Sequence, residues 1–213
     1  RGKVENLLYE YGDFPQKEDI RGHFNLVRVP SYVGFKGAGR IVISGEQIDF
    51  GRLRGDIAVS SGILRDISSI EVTGSKVITI ENLTSFHNFR EPEALVIYLG
   101  GFHNRVRSDF ISRVYAQNLN AEYLHFGDID AGGFYILEHL RSDTGIDFRP
   151  YMMDRGTLTK YADYTVPLTG NDRVRLQKLL AVKGDVYGDT IRYMLENDCK
   201  LEQEVIAFEE DRK

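Results

Sequence analysis

The sequence predicts an α/β protein in which a parallel sheet flanked by helices follows a small mixed α/β module and precedes a helical C-terminal extension. Two features lead to this fold class. Between residues 76 and 153, short apolar runs rich in β-branched residues alternate with segments long enough for crossover helices. Beyond residue 158, apolar residues recur mainly at helical spacing. We therefore expect two parts, residues 1–72 and residues 73–213.

The first part, residues 1–72, contains short strands and turns, and we expect it to be the end of an upstream domain. A strand is predicted at residues 24–29, and two more, at residues 40–44 and 47–50, are joined by a Gly-Glu turn as a hairpin. A helix is predicted to follow Ser61, a good N-cap, because four apolar residues recur there at helical spacing. These residues are Ile63, Leu64, Ile67 and Ile70.

The second part, residues 73–213, shows a β-α-β-α-β alternation. Strands are predicted at residues 76–80, 93–99, 123–126 and 149–153. The clearest helix, residues 104–118, places its apolar residues on one stripe, and another helix begins after Asp130 and stops at Gly145. Three more helices are predicted near residues 172–182, 187–197 and 200–210.

Composition limits the classes of function. The net charge is −5, and the first 75 residues are neutral, so the rest of the chain carries the acidic excess. This balance argues against a domain that holds nucleic acid by bulk charge alone. The longest apolar run, residues 94–99, is far shorter than the roughly 20 residues of a membrane-spanning helix, so no membrane partner is expected. The single cysteine, Cys199, excludes an internal disulfide and favours a reducing compartment, which we expect to be the cytoplasm.

Three acidic residues follow the predicted parallel strands. Glu81 comes after the strand at residues 76–80, and Asp128 and Asp130 come after the strand at residues 123–126. Because functional side chains collect outside the carboxyl ends of parallel strands, we expect these three to lie together. Oxygen ligands without nearby cysteine or paired histidine suit Mg²⁺ or Mn²⁺. The alternatives are local: Asp130 as an N-cap and Glu81 as a solvated turn residue.

Four short segments carry a resemblance to known proteins. They read IENL, YLGG, HFGDIDAGG and LEQE, at residues 80–83, 98–101, 125–133 and 201–204. A glutamate, a glycine pair and an Asp-x-Asp at successive strand ends resemble the Toprim family of topoisomerases, primases and nucleases. Over roughly residues 40–210, the chain is more closely similar to the C-terminal region of the JetD family. That family comprises nucleases of the bacterial Wadjet anti-plasmid system and is itself similar to the topoisomerase VI A subunit.

The resemblance implies a Toprim-like fold and a metal-dependent reaction on DNA. Glu81 matches the family's catalytic glutamate, and Asp128 and Asp130 match its metal-binding aspartates. All three are thereby implied in catalysis and in binding Mg²⁺ or Mn²⁺. Gly132 stands where some Toprim enzymes have a third aspartate. The implied partners are DNA, a second copy of the protein in a homodimer, and the SMC-like and kleisin subunits of the complex.

Two further acids, Glu202 and Glu204, lie in a segment similar to a Lys-x-Glu-x-Gln run of topoisomerase VI A proteins, which would bring either to the edge of the site. Helical spacing places Glu204 on a face with Leu201, Val205 and Phe208, which favours Glu204. The alternative is that both glutamates belong to a solvated helix start, where acidic residues interact favourably with the helix dipole.

Five basic or histidine residues are candidates for contacts with DNA: Arg40, His87, His103, Arg105 and Arg107. The two histidines are predicted near the carboxyl end of the sheet, where they could touch phosphate, and local capping is the alternative. The arginines of the 104–118 helix could form a phosphate-contacting edge, although a solvated helical face fits the same spacing.

Three functions are consistent with these residues. The resemblance favours a Mg²⁺-dependent DNA endonuclease domain recruited by SMC-like subunits. The others are a topoisomerase VI A-like subunit, which transfers DNA strands through a tyrosine, and a non-catalytic DNA-clamping or assembly module. A haloacid-dehalogenase-type phosphatase is disfavoured, since its nucleophilic aspartate ends the first strand of the sheet, whereas Asp128 follows a third. Metal-dependent nicking and a covalent protein–DNA adduct would separate the three.

Overall fold

In the computed structural model, the described residues are 30–100 and 105–210, together with a few positions nearer the amino terminus (6, 9–12, 20, 23 and 24). Contacts between Cα atoms divide the chain into two compact units, Arg1–Ser31 and Tyr32–Lys213. The strands and helices that surround the candidate site belong to the second unit. His103 and residues 25–29 of the predicted first strand lie outside the described residues.

Nine strands form two sheets in the described part of the second unit. They are β1 (Tyr32–Gly37), β2 (Gly39–Ile43), β3 (Glu46–Asp49), β4 (Ile57–Ser60), β5 (Ile67–Val72), β6 (Lys76–Ile80), β7 (Ala94–Tyr98), β8 (Glu122–Phe126) and β9 (Arg149–Pro150). The larger sheet has the order β4-β1-β7-β6-β8-β9. Its strands β7, β6, β8 and β9 are parallel, whereas β1 and β4 are antiparallel to their neighbours. The central strands β6 and β7 are buried apolar runs, as is typical of parallel sheets.

Six α-helices accompany the sheets over the described ranges of this unit. They are α1 (Leu83–Asn88), α2 (Arg105–Gln117), α3 (Ala131–Thr144), α4 (Arg155–Lys160), α5 (Gly170–Asn197) and α6 (Gln203–Glu210). With the right-handed crossovers that parallel strands follow as a rule, this strand order puts α1 on the face of the sheet opposite to α2 and α3. Helix α2 packs on α3, α3 on α5, and α1 on α6. The predicted α/β class, a parallel sheet flanked by helices with a helical C-terminal region, is confirmed.

Large aromatic side chains join the helices to the sheet and to one another. Phe35 of β1 stacks on Phe110 of α2 with ring centroids 5.2 Å apart, and Phe134 of α3 contacts Tyr187 of α5 at 4.9 Å. Aromatic pairs of this kind contribute about 0.5–1.5 kcal/mol beyond the burial of their area. These contacts fix α2 and α3 and, with them, the strand ends from which the candidate site is built.

The smaller sheet has the order β3-β2-β5 and contains the predicted hairpin. It also includes residues for which the sequence predicts a helix after Ser61. Strands β2 and β3 pair antiparallel, as expected. The predicted helix is wrong: Ile63–Asp66 form a short 3-10 helix, and the chain then enters β5, where Ile70 pairs with Ile41 of β2. β-Branched residues fit a strand well once a partner strand is present, so pairing with β2 overrides the local helical spacing.

Residues 32–72 and the parallel strands share one compact unit. Strand β1 bonds to β7, and β4 bonds to β1, so two strands from the first 72 residues extend the larger sheet. The change of sequence pattern near residue 72 coincides with the passage from β5, which belongs to the smaller sheet, into β6 of the larger one.

The C-terminal region is helical, with one difference from the predicted boundaries. Helix α5 consists of two helical segments that meet at a kink at the non-helical residue Lys183, in agreement with the two helices predicted near residues 172–182 and 187–197. Leu201 precedes α6 rather than lying on it, and Phe208 is 52% exposed, so only part of the predicted apolar face is buried. Among the described residues, no helix has the length and apolar character needed to cross a membrane.

Candidate functional site

The carboxyl ends of β6 and β8 bring the first two acidic residues together. The strands are adjacent and parallel, and Ile80 pairs in register with Phe126. Glu81 follows β6 directly, and its N–H donates to the carbonyl oxygen of Phe126 at 3.3 Å. Asp128 lies just beyond the end of β8. Glu81 and Asp128 therefore share the edge of the sheet at which parallel strands collect functional groups.

A tight turn over residues 127–130 joins β8 to α3, and Gly133 lies in the first turn of that helix. Asp130 is the N-cap of α3, and its Oδ1 accepts a hydrogen bond from the N–H of Gly133 at 2.7 Å. Glycine is required at position 133, since a Cβ there would lie 2.2 Å from the carbonyl oxygen of Asp128. Asp130 thus caps α3, and this cap holds the Asp-x-Asp turn against the strand ends.

The segment before α6 returns to the same edge and pairs with this turn. Leu201 and Ile129 form an antiparallel bridge, in which the Ile129 N–H donates to the Leu201 carbonyl oxygen at 2.8 Å. One residue earlier, Nζ of Lys200 lies 3.0 Å from Oδ2 of the buried Asp172. These contacts bring the two candidate glutamates of this segment to the strand ends.

Gln203 lies fully buried between the strand ends and joins the segment to both of them. Its Nε2 donates to the Phe126 carbonyl oxygen at 2.6 Å, and its Oε1 accepts from the N–H of Asn82 at 3.1 Å. Its main-chain N–H donates to Oδ1 of Asp128 at 2.7 Å. Beside it, Oε1 of Glu204 accepts from Nδ2 of Asn82 at 2.6 Å.

Five carboxylates meet at this edge, and we name them the acidic cluster: Glu81, Asp128, Asp130, Glu202 and Glu204. Carboxylate oxygens of Asp128, Glu202 and Glu204 lie within 4.8 Å of one another. Oε2 of Glu81 and Oε2 of Glu204 are buried and have no hydrogen-bond partner among the residues that the structure describes. Such oxygens are costly in a like-charged group unless a cation or a proton compensates them. The donor set therefore fits a hard divalent cation such as Mg²⁺ or Mn²⁺.

Burial and mutual repulsion raise pKa values in the acidic cluster. Burial, followed by the charges of Asp128 and Asp130, raises the pKa of Glu81 to about 8. Burial also raises the pKa of Asp128 to about 6, against the opposing effect of the hydrogen bond from Gln203. At neutral pH and without a cation, Glu81 therefore carries a proton most of the time. Carboxyl groups perturbed in this way are concentrated at functional sites.

Comparison with known proteins places the chain in a family. The family model described as "Wadjet protein JetD, C-terminal" matches residues 40–213. The chain belongs to this JetD C-terminal family. A curated relative, the Wadjet protein JetD of Bacillus cereus (strain Q1), is 27% identical to this chain, and the match covers 94% of this chain and 51% of the relative. The chain thus spans about half the length of the JetD protein that it matches.

Two candidate arginines of this JetD-family chain lie on α2. The guanidinium of Arg107 lies over the ring of Tyr98, 5.4 Å from its centroid, at the carboxyl end of β7. A Cβ on Gly100 would be 3.0 Å from Nη1 of Arg107, so this glycine gives the arginine room. The side chain of Arg105 is 94% exposed, and its Nε is 4.0 Å from Asp109. Arg107 therefore lies against a strand end of the sheet, whereas Arg105 extends into solvent.

The other described candidates, His87 and Arg40, are engaged elsewhere. His87 is in the last turn of α1, and its Nδ1 lies 3.4 Å from Oδ1 of Asp56. Arg40 of β2 lies between two carboxylates, 3.6 Å from Asp49 and 3.3 Å from Glu71. The charge of Arg40 is therefore offset within the smaller sheet.

Two residues of the site, Asn82 and Gln203, receive no role from the sequence prediction. Asn82 caps α1, and an asparagine directly after a strand-end glutamate is a typical N-cap signal. Gln203 is an uncharged residue between two glutamates. The sequence does not reveal that Gln203 bonds to Asn82 and Phe126, because these residues lie 121 and 77 positions away from it in the chain.

Gly133→Ala is expected to lower the free energy of unfolding by more than about 2 kcal/mol, because the added Cβ would collide with backbone. Thermal or urea unfolding measures the change. The control is Gly170→Ala at the start of α5, where an added Cβ meets nothing within 4 Å. That substitution should change stability by less than about 1 kcal/mol. Equal stability of the two variants would contradict the tight turn.

Proposed function

We propose that this chain is the catalytic part of a Mg²⁺-dependent DNA endonuclease that acts in a bacterial SMC-like plasmid-defence complex of the Wadjet type. The acidic cluster carries the proposal, because it gathers carboxylates from two strand ends and a distant segment around buried, unpaired oxygens. Membership of the JetD C-terminal family supports the same function. The bond to be cleaved is a phosphodiester of DNA.

The residues of the acidic cluster divide into two groups. Asp128, Glu202 and Glu204 would hold the cation, with Glu81 and Asp130 beside them. A bound Mg²⁺ or Mn²⁺ would stabilise the negative charge that builds on a phosphate during cleavage. Before a cation binds, Glu81 holds a proton near neutral pH, and that proton removes one of five mutually repelling charges. The hydrogen bond from Gln203 fixes the carboxylate of Asp128 in place.

DNA is expected to be presented to this region rather than captured by it. The net charge of −5 gives no long-range attraction to DNA, and the acidic cluster repels phosphate until a cation and basic residues offset it. We propose that SMC-like and kleisin subunits deliver the DNA, that the full-length protein acts as a homodimer, and that the complex works in the cytoplasm. The name of the curated relative, Wadjet protein JetD, supports a place in the Wadjet system, and the particular partners are what the resemblance to the JetD family implies.

Arg107→Gln is expected to weaken DNA binding by the full-length protein, because Arg107 lies at the strand edge that would face a phosphate. Loss of one phosphate contact should reduce the slope of log affinity against log salt by about one. Arg40→Gln is the matched control, since two carboxylates already offset its charge. Fluorescence anisotropy over a salt series measures both slopes. Identical slopes for the wild type and Arg107→Gln would contradict the contact.

The test of the proposed function uses the full-length protein, its partner subunits and a supercoiled plasmid. We expect cleavage in Mg²⁺ that stops when EDTA removes the cation and that leaves protein-free DNA ends. A covalent protein–DNA adduct after denaturation would instead indicate strand transfer of the topoisomerase VI A kind. DNA binding without any cleavage would indicate a clamping or assembly module. Either of these two results would contradict the endonuclease.

A further inference from the structure

We propose that Gln203 is the positioning residue of the acidic cluster, an inference that rests on the proposed metal-dependent function. Gln203 would touch neither the cation nor DNA, because its side chain is fully buried and both of its polar ends are bonded to main-chain groups. It would act through its neighbours in the chain, Glu202 and Glu204, and through its own N–H on Asp128.

The side-chain amide of Gln203 satisfies one main-chain group at the end of β6 and one at the end of β8. The carbonyl oxygen of Phe126 ends β8 and accepts from Nε2, whereas the N–H of Asn82 follows β6 and donates to Oε1. Only a side chain with a donor and an acceptor at this reach can serve both groups. Glutamate in its charged form lacks the donor, and methionine lacks both functions.

Anchoring of Gln203 determines where the flanking carboxylates lie. With the main chain at residue 203 fixed on Asp128, Glu202 and Glu204 have oxygens within 4.8 Å of an Asp128 oxygen. Glu204 has a second attachment, through Oε1 to Asn82, whereas Glu202 is exposed. Like charges repel one another, so this gathering requires an attachment that adds no further negative charge. Gln203 supplies that attachment at the centre of the segment.

A purely structural role makes a different prediction. Replacing any buried amide lowers the free energy of unfolding by about 1–3 kcal/mol for each former partner left unsatisfied, wherever in the protein the amide lies. Asn118 is a half-buried amide with the same pattern of bonds to main chain: its Oδ1 accepts from Val72 N–H at 2.8 Å, and its Nδ2 donates to the carbonyl oxygens of Ile70 and Val114 at 2.9 and 2.7 Å. Asn118 precedes β8, at the amino edge of the parallel strands, and therefore lies opposite the acidic cluster.

The experiment compares Gln203→Met with Asn118→Leu in the full-length protein, each replacing an amide by an apolar side chain of similar size. Mn²⁺ binding without DNA is measured by electron paramagnetic resonance, and the rise in Tm on adding Mn²⁺ is measured in parallel. We expect Gln203→Met to bind Mn²⁺ at least tenfold more weakly and to lose most of the Mn²⁺-induced rise in Tm. Asn118→Leu should have a lower Tm without metal but wild-type Mn²⁺ affinity.

Gln203→Asn covers the case in which Gln203→Met fails to fold, because it retains the amide but is too short to bond to both strand ends. It too should bind Mn²⁺ at least tenfold more weakly than the wild type. Wild-type affinity in a folded Gln203 variant, or an equal loss of affinity in Asn118→Leu, would overturn the positioning role. A wild type that binds Mn²⁺ but never cleaves DNA would contradict the endonuclease, while a tenfold loss in Gln203→Met would still support the positioning role.

Discussion

Full-length protein carrying Asp128→Asn is expected to lose Mg²⁺-dependent DNA cleavage, with the rate falling by at least about a hundredfold. Asp128 has an oxygen within 4.8 Å of oxygens from both Glu202 and Glu204. The substitution therefore removes one of the three negative charges that would hold the cation. Asparagine keeps the shape, and its Oδ1 can still accept the hydrogen bond from Gln203. Without metal, the variant should be as stable as the wild type or more so, because one of several repelling, partly buried charges is gone.

Asp185→Asn provides the control for this prediction, because Asp185 is an exposed carboxylate on α5. It should retain the wild-type rate of cleavage and the wild-type Tm. Initial rates of plasmid cleavage and thermal unfolding without metal are the two measurements. An Asp128→Asn protein that cleaves at the wild-type rate, or that no longer folds, would show that Asp128 serves the fold rather than the reaction.

The metal-free protein is expected to lose stability as pH rises from about 5 to 8. Glu81 has a folded-state pKa of about 8 against an ordinary value of 4.5, and Asp128 has about 6 against 3.8. A carboxyl group with a raised pKa binds its proton more tightly in the folded state, so raising the pH through that interval favours unfolding. The free energy of unfolding should fall by on the order of 3 kcal/mol across it.

Glu81→Gln should remove most of this pH dependence, because glutamine has no proton to lose, and should raise stability at pH 8. Urea unfolding at a series of pH values, with EDTA present, measures the effect. The control is Glu196→Gln at an exposed position of α5, which should follow the wild-type curve. A Glu81→Gln curve with the full wild-type slope would mean that Glu81 titrates normally and is not part of a repelling group.

The parallel sheet could be predicted from the sequence because its signals are local. Apolar runs mark β6, β7 and β8, and Asp130 and Gly145 mark the two ends of α3. The positions of Glu81 and Asp128 followed from the rule that parallel strands present their carboxyl ends at one edge. The helix predicted after Ser61 failed because Ile67 and Ile70 pair with a strand, and local spacing cannot detect a partner.

The C-terminal part of the site could be predicted only in outline. The spacing of apolar residues indicated that Glu204 points inward, and one of its oxygens is indeed buried. The role of Gln203 could not be predicted, since its bonds to Asn82 and Phe126 cross 121 and 77 residues of chain. Contacts between distant segments of this kind depend on the packing of whole helices, here α6 against α1.

The most direct test of a divalent cation site at the acidic cluster is the location of Mn²⁺ by anomalous scattering in crystals of the full-length protein. We predict a peak at the carboxyl edge of β6 and β8, bound by Asp128 and by Glu202 or Glu204, with oxygen ligands at about 2.0–2.2 Å. Mn²⁺ peaks elsewhere in the protein, with none at the acidic cluster at saturating Mn²⁺, would contradict the site.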